Sequence, residues 1–207
     1  MTLIPDPLGF ADWRRRTGEL YAAVRAQADA GAAWNLWRRE RARLFREHAH
    51  SPIEPARRHD YSGRDYFDYA PGLRFQVGVE APGQAAGQSW DLGEDGVITL
   101  HPAGCTHGLA DALGAELVLF WIGGYGGGLF LPFSDASAGG ETYGGGRYLL
   151  DTIKGADLGM ADGRLVLDFN FAYNPSCAYA PHWTCPLAPP ENRLPVAVRG
   201  GERTPSA

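Results

Sequence analysis

The sequence predicts a mainly β fold, an antiparallel β-sandwich or barrel with an N-terminal arm of two α-helices. Three observations predict it. Apolar residues recur at helical spacing up to about residue 50 and then switch to a period of two. Past residue 70, turn signals return about every ten residues. The 207 residues include 28 glycines and 15 prolines but only 21% charged side chains, a mix that favours tight turns and short strands over long helices. Hydrophobic residues make up 44%, enough for a sizeable core and too many for a disordered chain.

The first helix is predicted over residues 8–30. Phe10, Trp13, Thr17, Leu20, Tyr21, Val24 and Ala28 fall at intervals of three and four. Gly31 reads as the break after it. A second helix is predicted over 32–48, with Trp34, Trp37, Leu44 and Phe45 docking on a sheet. Ser51-Pro52 closes the helical region, because proline disfavours helical geometry in the residue before it.

Strand patterning begins at Leu73, Phe75, Val77 and Val79, which alternate with Arg74, Gln76, Gly78 and Glu80. This is a half-buried strand with one wet face. Residues 97–100 form a strand after the turn at Glu94-Asp95-Gly96. Residues 116–122 are almost continuously apolar and read as a central strand. Residues 129–133 follow a glycine-rich link, with Pro132 marking an edge or a bulge. Further strands are predicted at 147–151, at 164–170 after the turn Ala161-Asp162-Gly163, and at 194–199. The segments divide as a helical arm (1–50), a β domain (51–200) and a frayed tail (201–207).

The formal net charge is −5, which repels nucleic-acid phosphates unless basic residues cluster. They do cluster, at Arg14 to Arg16 and Arg38 to Arg46, but on helices interleaved with acids, so they read as solvated helix faces. Nucleic acid is therefore not an expected partner. No apolar run approaches the roughly 18 residues of a membrane span, and the N-terminus shows no signal pattern, so the expected location is cytoplasmic. Three cysteines fit a reducing compartment better than a disulfide scaffold.

The polar chemistry concentrates between residues 141 and 192. Gly123-Gly-Tyr-Gly-Gly-Gly128 lacks the Lys-Ser/Thr of a phosphate-binding loop and reads as a strand connection. Gly144-Gly-Gly146 lies between Glu141-Thr142-Tyr143 and Arg147. That arginine could hold an anion in bidentate fashion or pair internally with Glu141 or Asp168. On an alternating strand, Asp168 and Asn170 point to one face, and Tyr173 and Asn174 add donors just beyond it. Glu191 and Asn192 stand on the proline-stiffened stretch from Cys185 to Pro195.

Cys177 and Cys185 bracket His182, while Cys105 and His107 form a separate pair. Thiolate and imidazole suit zinc, but the spacing is not that of a Cys-x₂-Cys knuckle. No metal and no cofactor is assigned.

Three stretches taken together resemble a known family. They are Glu141-Thr-Tyr-Gly-Gly-Gly-Arg-Tyr-Leu149, Leu167-Asp-Phe-Asn-Phe-Ala-Tyr-Asn-Pro175 with Cys177, and Cys185-Pro-Leu-Ala-Pro-Pro-Glu-Asn-Arg-Leu194. They resemble the bacterial domain-of-unknown-function 1684 family, DUF1684. Upstream, Phe45-Arg-Glu-His-Ala-His-Ser-Pro52 followed by Tyr66-Phe67 is similar to that family's opening segment, so the resemblance spans about residues 34–202. It implies no activity. It marks Glu141, Thr142, Tyr143, Gly146, Arg147, Asp168, Asn170, Tyr173, Asn174, Cys177, Cys185, Glu191 and Asn192 as signature positions. Ser176 and Ala188 stand where the family often has proline. Cys105, His107 and His182 lie outside the signature, which weakens the zinc reading.

Three functions follow as expectations. In the first, the signature lines a pocket for a small molecule, anions included, at a barrel mouth. In the second, the protein is a hydrolase with Asp168 or Glu191 as general base and Arg147 stabilising developing charge. In the third, the signature only stabilises the fold. The first is preferred, because spacing alone assembles no nucleophile, base and oxyanion set. Oligomeric state is left open.

Overall fold

The structure, a computed structural model, describes residues 6–91 and 96–206. Two helices lead into a mainly antiparallel β fold. Helix α1 spans Pro7–Arg25 and α2 spans Ala30–Glu47. Asp6 caps α1 through the Gly9 amide, and Pro7 sits at its start, where a missing N–H costs nothing. Asp29 caps α2 through the Ala32 amide. The break between the helices therefore lies at residues 26–29. Gly31, expected to be the breaker, is inside α2, because the Asp29 carboxylate offers the first-turn amides a partner and so starts the helix earlier.

The strands are β1 (Arg74–Glu80), β2 (Gln88–Asp91), β3 (Val97–His107), β4 (Val118–Ile122), β5 (Gly128–Phe133), β6 (Arg147–Asp151), β7 (Met160–Ala161) and β8 (Arg164–Asp168). They form one curled half-barrel sheet in the order β6-β5-β4-β3-β1-β8-β7, with β2 added on β3. Every ladder is antiparallel. β4 is internal, between β3 and β5, and Val118, Leu119 and Phe120 are buried, whereas Trp121 is half exposed. The glycine link 123–127 is the β4–β5 hairpin. Pro132 marks a register shift between β5 and β6, consistent with its missing amide. Asp162 and Gly163 both take positive φ in the tight turn joining β7 to β8.

Two strand expectations change. The chain does not continue as a strand through Asn170: β8 ends at Asp168, and Phe169–Phe171 is a 3₁₀ turn capped by the Asp168 carboxylate. Asp168 and Asn170 thus meet through this cap and not by sharing a strand face. Residues 194–199 carry no ladder; the Leu194 amide bonds Ser134 and the Val198 amide bonds the Asp135 side chain. The turn expected at Glu94-Asp95-Gly96 lies largely outside the described residues.

Helices α1 and α2 pack on one face of the sheet. Leu20, Tyr21, Val24, Trp34, Trp37 and Leu44 join Leu100, Phe120, Phe130, Tyr148 and Phe171 in one buried cluster. A second cluster, including Val77, Leu119, Leu131, Phe133, Leu167, Phe169 and Val198, fills the opposite face. No helix among the described residues is long and apolar enough to cross a membrane.

Candidate functional site

The polar residues singled out in the sequence are divided among two buried charged hubs, a smaller Asp168–Asn170 knot, a thiol pair, the buried Asn192 and the surface. Arg147 opens β6 and is 1% exposed. Its Nη2 donates to Asp135 Oδ2 at 2.8 Å and to the Val198 carbonyl at 2.9 Å. Its Nη1 donates to the carbonyls of Gly200 and Glu202 at 2.5 and 3.0 Å. Burial pulls the guanidinium pKa down while Asp135 opposes that pull. Asp135 Oδ1 in turn accepts from the Ser137 amide and hydroxyl and from the Val198 amide. The Ser137 hydroxyl also meets the Thr142 hydroxyl at 2.9 Å. The expected partners of Arg147 were Glu141 and Asp168; Glu141 instead pairs at the surface with Arg199. Gly146 places Arg147 here by adopting φ +86, a conformation that a side chain would strain.

The second hub is Glu202, 1% exposed. It accepts from Arg41 Nε at 2.6 Å, Tyr66 Oη at 3.1 Å, Tyr179 Oη at 2.7 Å and the Asn174 amide at 2.6 Å. The tail expected to fray is therefore pinned at its start. A buried carboxylate with this donor set fixes the backbone on either side of it, and Arg203 carries its carbonyl to Asn174 Nδ2 at 2.7 Å. Arg41 also corrects the reading of the helical arginines as uniformly solvated. Arg15, Arg16 and Arg43 do pair with acids at the surface, but Arg41 turns inward between Trp37 and Phe45.

Asp168 and Asn170 form a smaller knot. Asp168 Oδ1 accepts from the Asn170 amide and Nδ2 at 3.0 and 2.7 Å, and Arg74 reaches Oδ2 at 3.3 Å. Asn170 also brackets both backbone groups of Ala70. Burial pushes the Asp168 carboxyl up, against the bonds from Asn170 and Arg74. Asn192 is fully buried and stitches β4 to β5, accepting from the Val118 amide and donating to the Val118 and Pro132 carbonyls. Glu191 is exposed and accepts from Gln88. Arg147 is thus brought together with neither alternative base expected of a hydrolase: Arg147 and Asp168 are each enclosed and bonded to other partners, and Glu191 sits on the surface.

Residues 59–203, which contain both hubs, match the family described as Protein of unknown function (DUF1684). The chain belongs to the DUF1684 family. The match includes every signature position and Tyr66-Phe67, and it begins after the segment from Phe45 to Pro52. The DUF1684 chain is also similar to the solution NMR structure of an uncharacterized protein from Haloarcula marismortui. Sequence identity is 34%, coverage is 81% of this chain and 90% of that one, and the TM-score is 0.54. No curated protein matches the chain.

The thiol pair of the DUF1684 signature and a cleft next to it are partly open to solvent. Cys177, in the 3₁₀ turn Ser176–Ala178, presents its amide to Cys185 Sγ at 3.4 Å, and the Tyr143 hydroxyl points at Cys177 Sγ at 3.6 Å. Cys105 is elsewhere, on β3 opposite Val118, and His182 pairs with Glu54. Among the described residues no group of three His, Cys, Asp or Glu side chains could hold a metal ion. Next to the thiol turn, Ala178 and Tyr179 form one wall of a cleft of about 420 Å³. Its other walls include Ile53, Arg57, Tyr61 and Pro205. Sequence reasoning missed Asp135, Arg41, Tyr66, Tyr179 and Glu202. Only Arg41 left a signal: it interrupts the Trp37, Arg41, Phe45 stripe at i, i+4, i+8, where a buried apolar residue belongs.

Proposed function

We propose that the protein binds a small anionic molecule, an aromatic carboxylate by chemical class, in the cleft beside Tyr179, and that the signature residues serve as its rigid scaffold. The observation that carries this reading is the cleft itself. Its volume of about 420 Å³ falls in the range of small-molecule sites, roughly 300–1,000 Å³. Tyr61 and Tyr179 supply ring walls in an edge-on arrangement with centroids 6.4 Å apart. Tyr179 is held by the Glu202 hub, so the wall is fixed before a ligand arrives. Arg57 contributes the charge. Arg58 beside it is committed to the carbonyls of Ile53 and Ala49, whereas Arg57 has no ion-pair partner among the described residues. Asp60 also lines the cleft and engages His59 at 3.1 Å.

Arg147, Asp168, Asn170 and Asn192 act on this site only by holding the backbone. A hydrolytic reading gains no support, since it needs a carboxylate and Arg147 on one reacting centre. Titration with benzoate, followed by amide chemical shifts, tests the proposal. Perturbations are expected at residues 53–61 and 176–179, and Arg57→Ala is expected to remove them. Shifts centred elsewhere, or unaltered binding in Arg57→Ala, would overturn it.

A further inference from the structure

We infer that Cys177 and Cys185 form a reversible dithiol–disulfide pair, in which Cys177 is the attacking thiol and Cys185 the resolving one, with small-molecule disulfides as the oxidant class. This goes beyond the binding proposal and does not depend on it.

The geometry argues it from three sides. The cysteines are eight residues apart, and the intervening loop folds back so that the Cys177 amide meets Cys185 Sγ at 3.4 Å. The Tyr143 hydroxyl reaches the Cys177 sulfur at 3.6 Å. The chain is tied on either side of Cys185: Trp183 Nε1 donates to the Pro52 carbonyl at 3.3 Å and Tyr148 Oη to the Pro186 carbonyl at 2.6 Å. Those ties, with the Cys177 amide, keep Cys185 beside the Cys177 turn, while residues 179–189 carry no strand ladder that would resist closure to the roughly 2.05 Å that a disulfide needs.

The pair is also chemically unequal. Cys177 Sγ receives donors from Cys185 and Tyr143, which favour its thiolate, and its pKa falls to about 6. Cys185 moves the opposite way, through its bond to Cys177 and then through burial. The titratable groups facing the pair are Tyr143, Tyr148 from β6 and Lys154 from the turn after β6. Cys105 is an internal contrast: burial, then Glu116 and Glu80, push its thiol up. Both sulfurs of the pair belong to partly exposed residues, so a solvent-borne oxidant has access.

The exchange balances as follows. The Cys177 thiolate attacks one sulfur of RS–SR; that S–S bond breaks, RS⁻ leaves and takes a proton from water, and a Cys177 mixed disulfide forms. Cys185 then loses its proton to solvent, and its thiolate attacks Cys177 Sγ. The bond to RS breaks and a second RS⁻ leaves, to be protonated in turn. Two protein thiols are oxidised by two electrons and one disulfide is reduced to two thiols.

Reduced full-length protein is incubated with glutathione disulfide, acid-quenched, alkylated and mapped by mass spectrometry. Wild type is expected to lose two hydrogen atoms, link the Cys177 and Cys185 peptides and retain no glutathione. Cys185→Ser is expected to trap glutathione on Cys177. With iodoacetamide at pH 6, Cys177 of the wild type is expected to label about tenfold faster than Cys105, after allowing for the weaker nucleophilicity of a more acidic thiol. Tyr143→Phe is expected to move the midpoint of Cys177 labelling to higher pH, which a merely structural tyrosine would not do. A wild type that keeps glutathione without cross-linking, or labels Cys105 as fast as Cys177, would overturn the inference. Both of these readouts use the unmutated chain, so a variant that fails to fold does not obscure the result.

Discussion

Arg147 at the head of β6 and Asp135 just past β5 face each other across 2.8 Å, with 1% and 2% of their side chains exposed. The guanidinium also gathers the carbonyls of Val198, Gly200 and Glu202, so one side chain joins the β5–β6 connection to the C-terminal segment. Arg147→Ala leaves Asp135 as an uncompensated buried charge and is expected to cost about 3–5 kcal/mol. Arg147→Lys keeps the charge but not the fork and is expected to recover only part of that loss. Urea unfolding midpoints measure both; a lysine variant as stable as wild type would contradict the bidentate role.

Two carboxylates are expected to bend the stability profile in opposite directions in acid. Burial raises the Glu116 pKa, but the Thr106 hydroxyl and the amides of Gly108, Ala110 and Leu109 outweigh it, so the net shift is downward from 4.5. Between the folded value and 4.5 the unfolded chain binds more protons. The contribution of Glu116 is thus complete above that window and lost as pH falls through it. Asp168 is shifted upward from 3.8 by burial. In the window above 3.8 the folded chain binds more protons, so stability from this group falls as pH rises through its folded value. Thermal unfolding across the acid range checks both signs. Glu116→Gln should differ most from wild type at neutral pH and least in acid. Asp168→Asn should gain on wild type as pH rises through the Asp168 window.

Gly146 and Gly163 separate backbone strain from steric conflict. Both have positive φ, +86 and +74. A Cβ on Gly163 meets nothing within 4 Å, while one on Gly146 falls 2.6 Å from the Phe133 carbonyl oxygen and 2.7 Å from Ala188 Cβ. Gly163→Ala is expected to cost about 1 kcal/mol from φ alone. Gly146→Ala is expected to cost about 3 kcal/mol, since the neighbouring backbone must also move. Equal losses in denaturant titration would show that the crowding around Gly146 relaxes freely.

The period-two stretches and the aromatic helix stripes were legible because each residue's burial depends on its immediate neighbours in the chain. Trp34, Trp37, Leu44 and Phe45 are all buried, and β6 begins and ends at the residues the pattern indicated. The hubs were not legible for the opposite reason. Asp135 follows a strand as many surface aspartates do, and Glu202 sits beside glycines near the end of the sequence, where composition suggests fraying. Their roles are set by partners 12 to 161 residues away, and no local pattern encodes such a distance. Asn170 was legible as a polar residue needing partners, but the cap that ends β8 at Asp168 competes with strand continuation in a way that alternation does not register.

The Arg41–Glu202 pair spans 161 residues of chain, and this separation bears on the order in which the protein assembles. Helix α2 can form early from local contacts, but it cannot seat Trp37 and Phe45 fully on the sheet without also carrying Arg41 inward. That step waits for Glu202 to arrive, together with Tyr179 and the Asn174 amide. Closing so long a loop is slow because the entropy is spent before the contact forms. Helix docking is therefore coupled to the last stage of folding, and mutations at Glu202 should accelerate unfolding far more than they slow refolding.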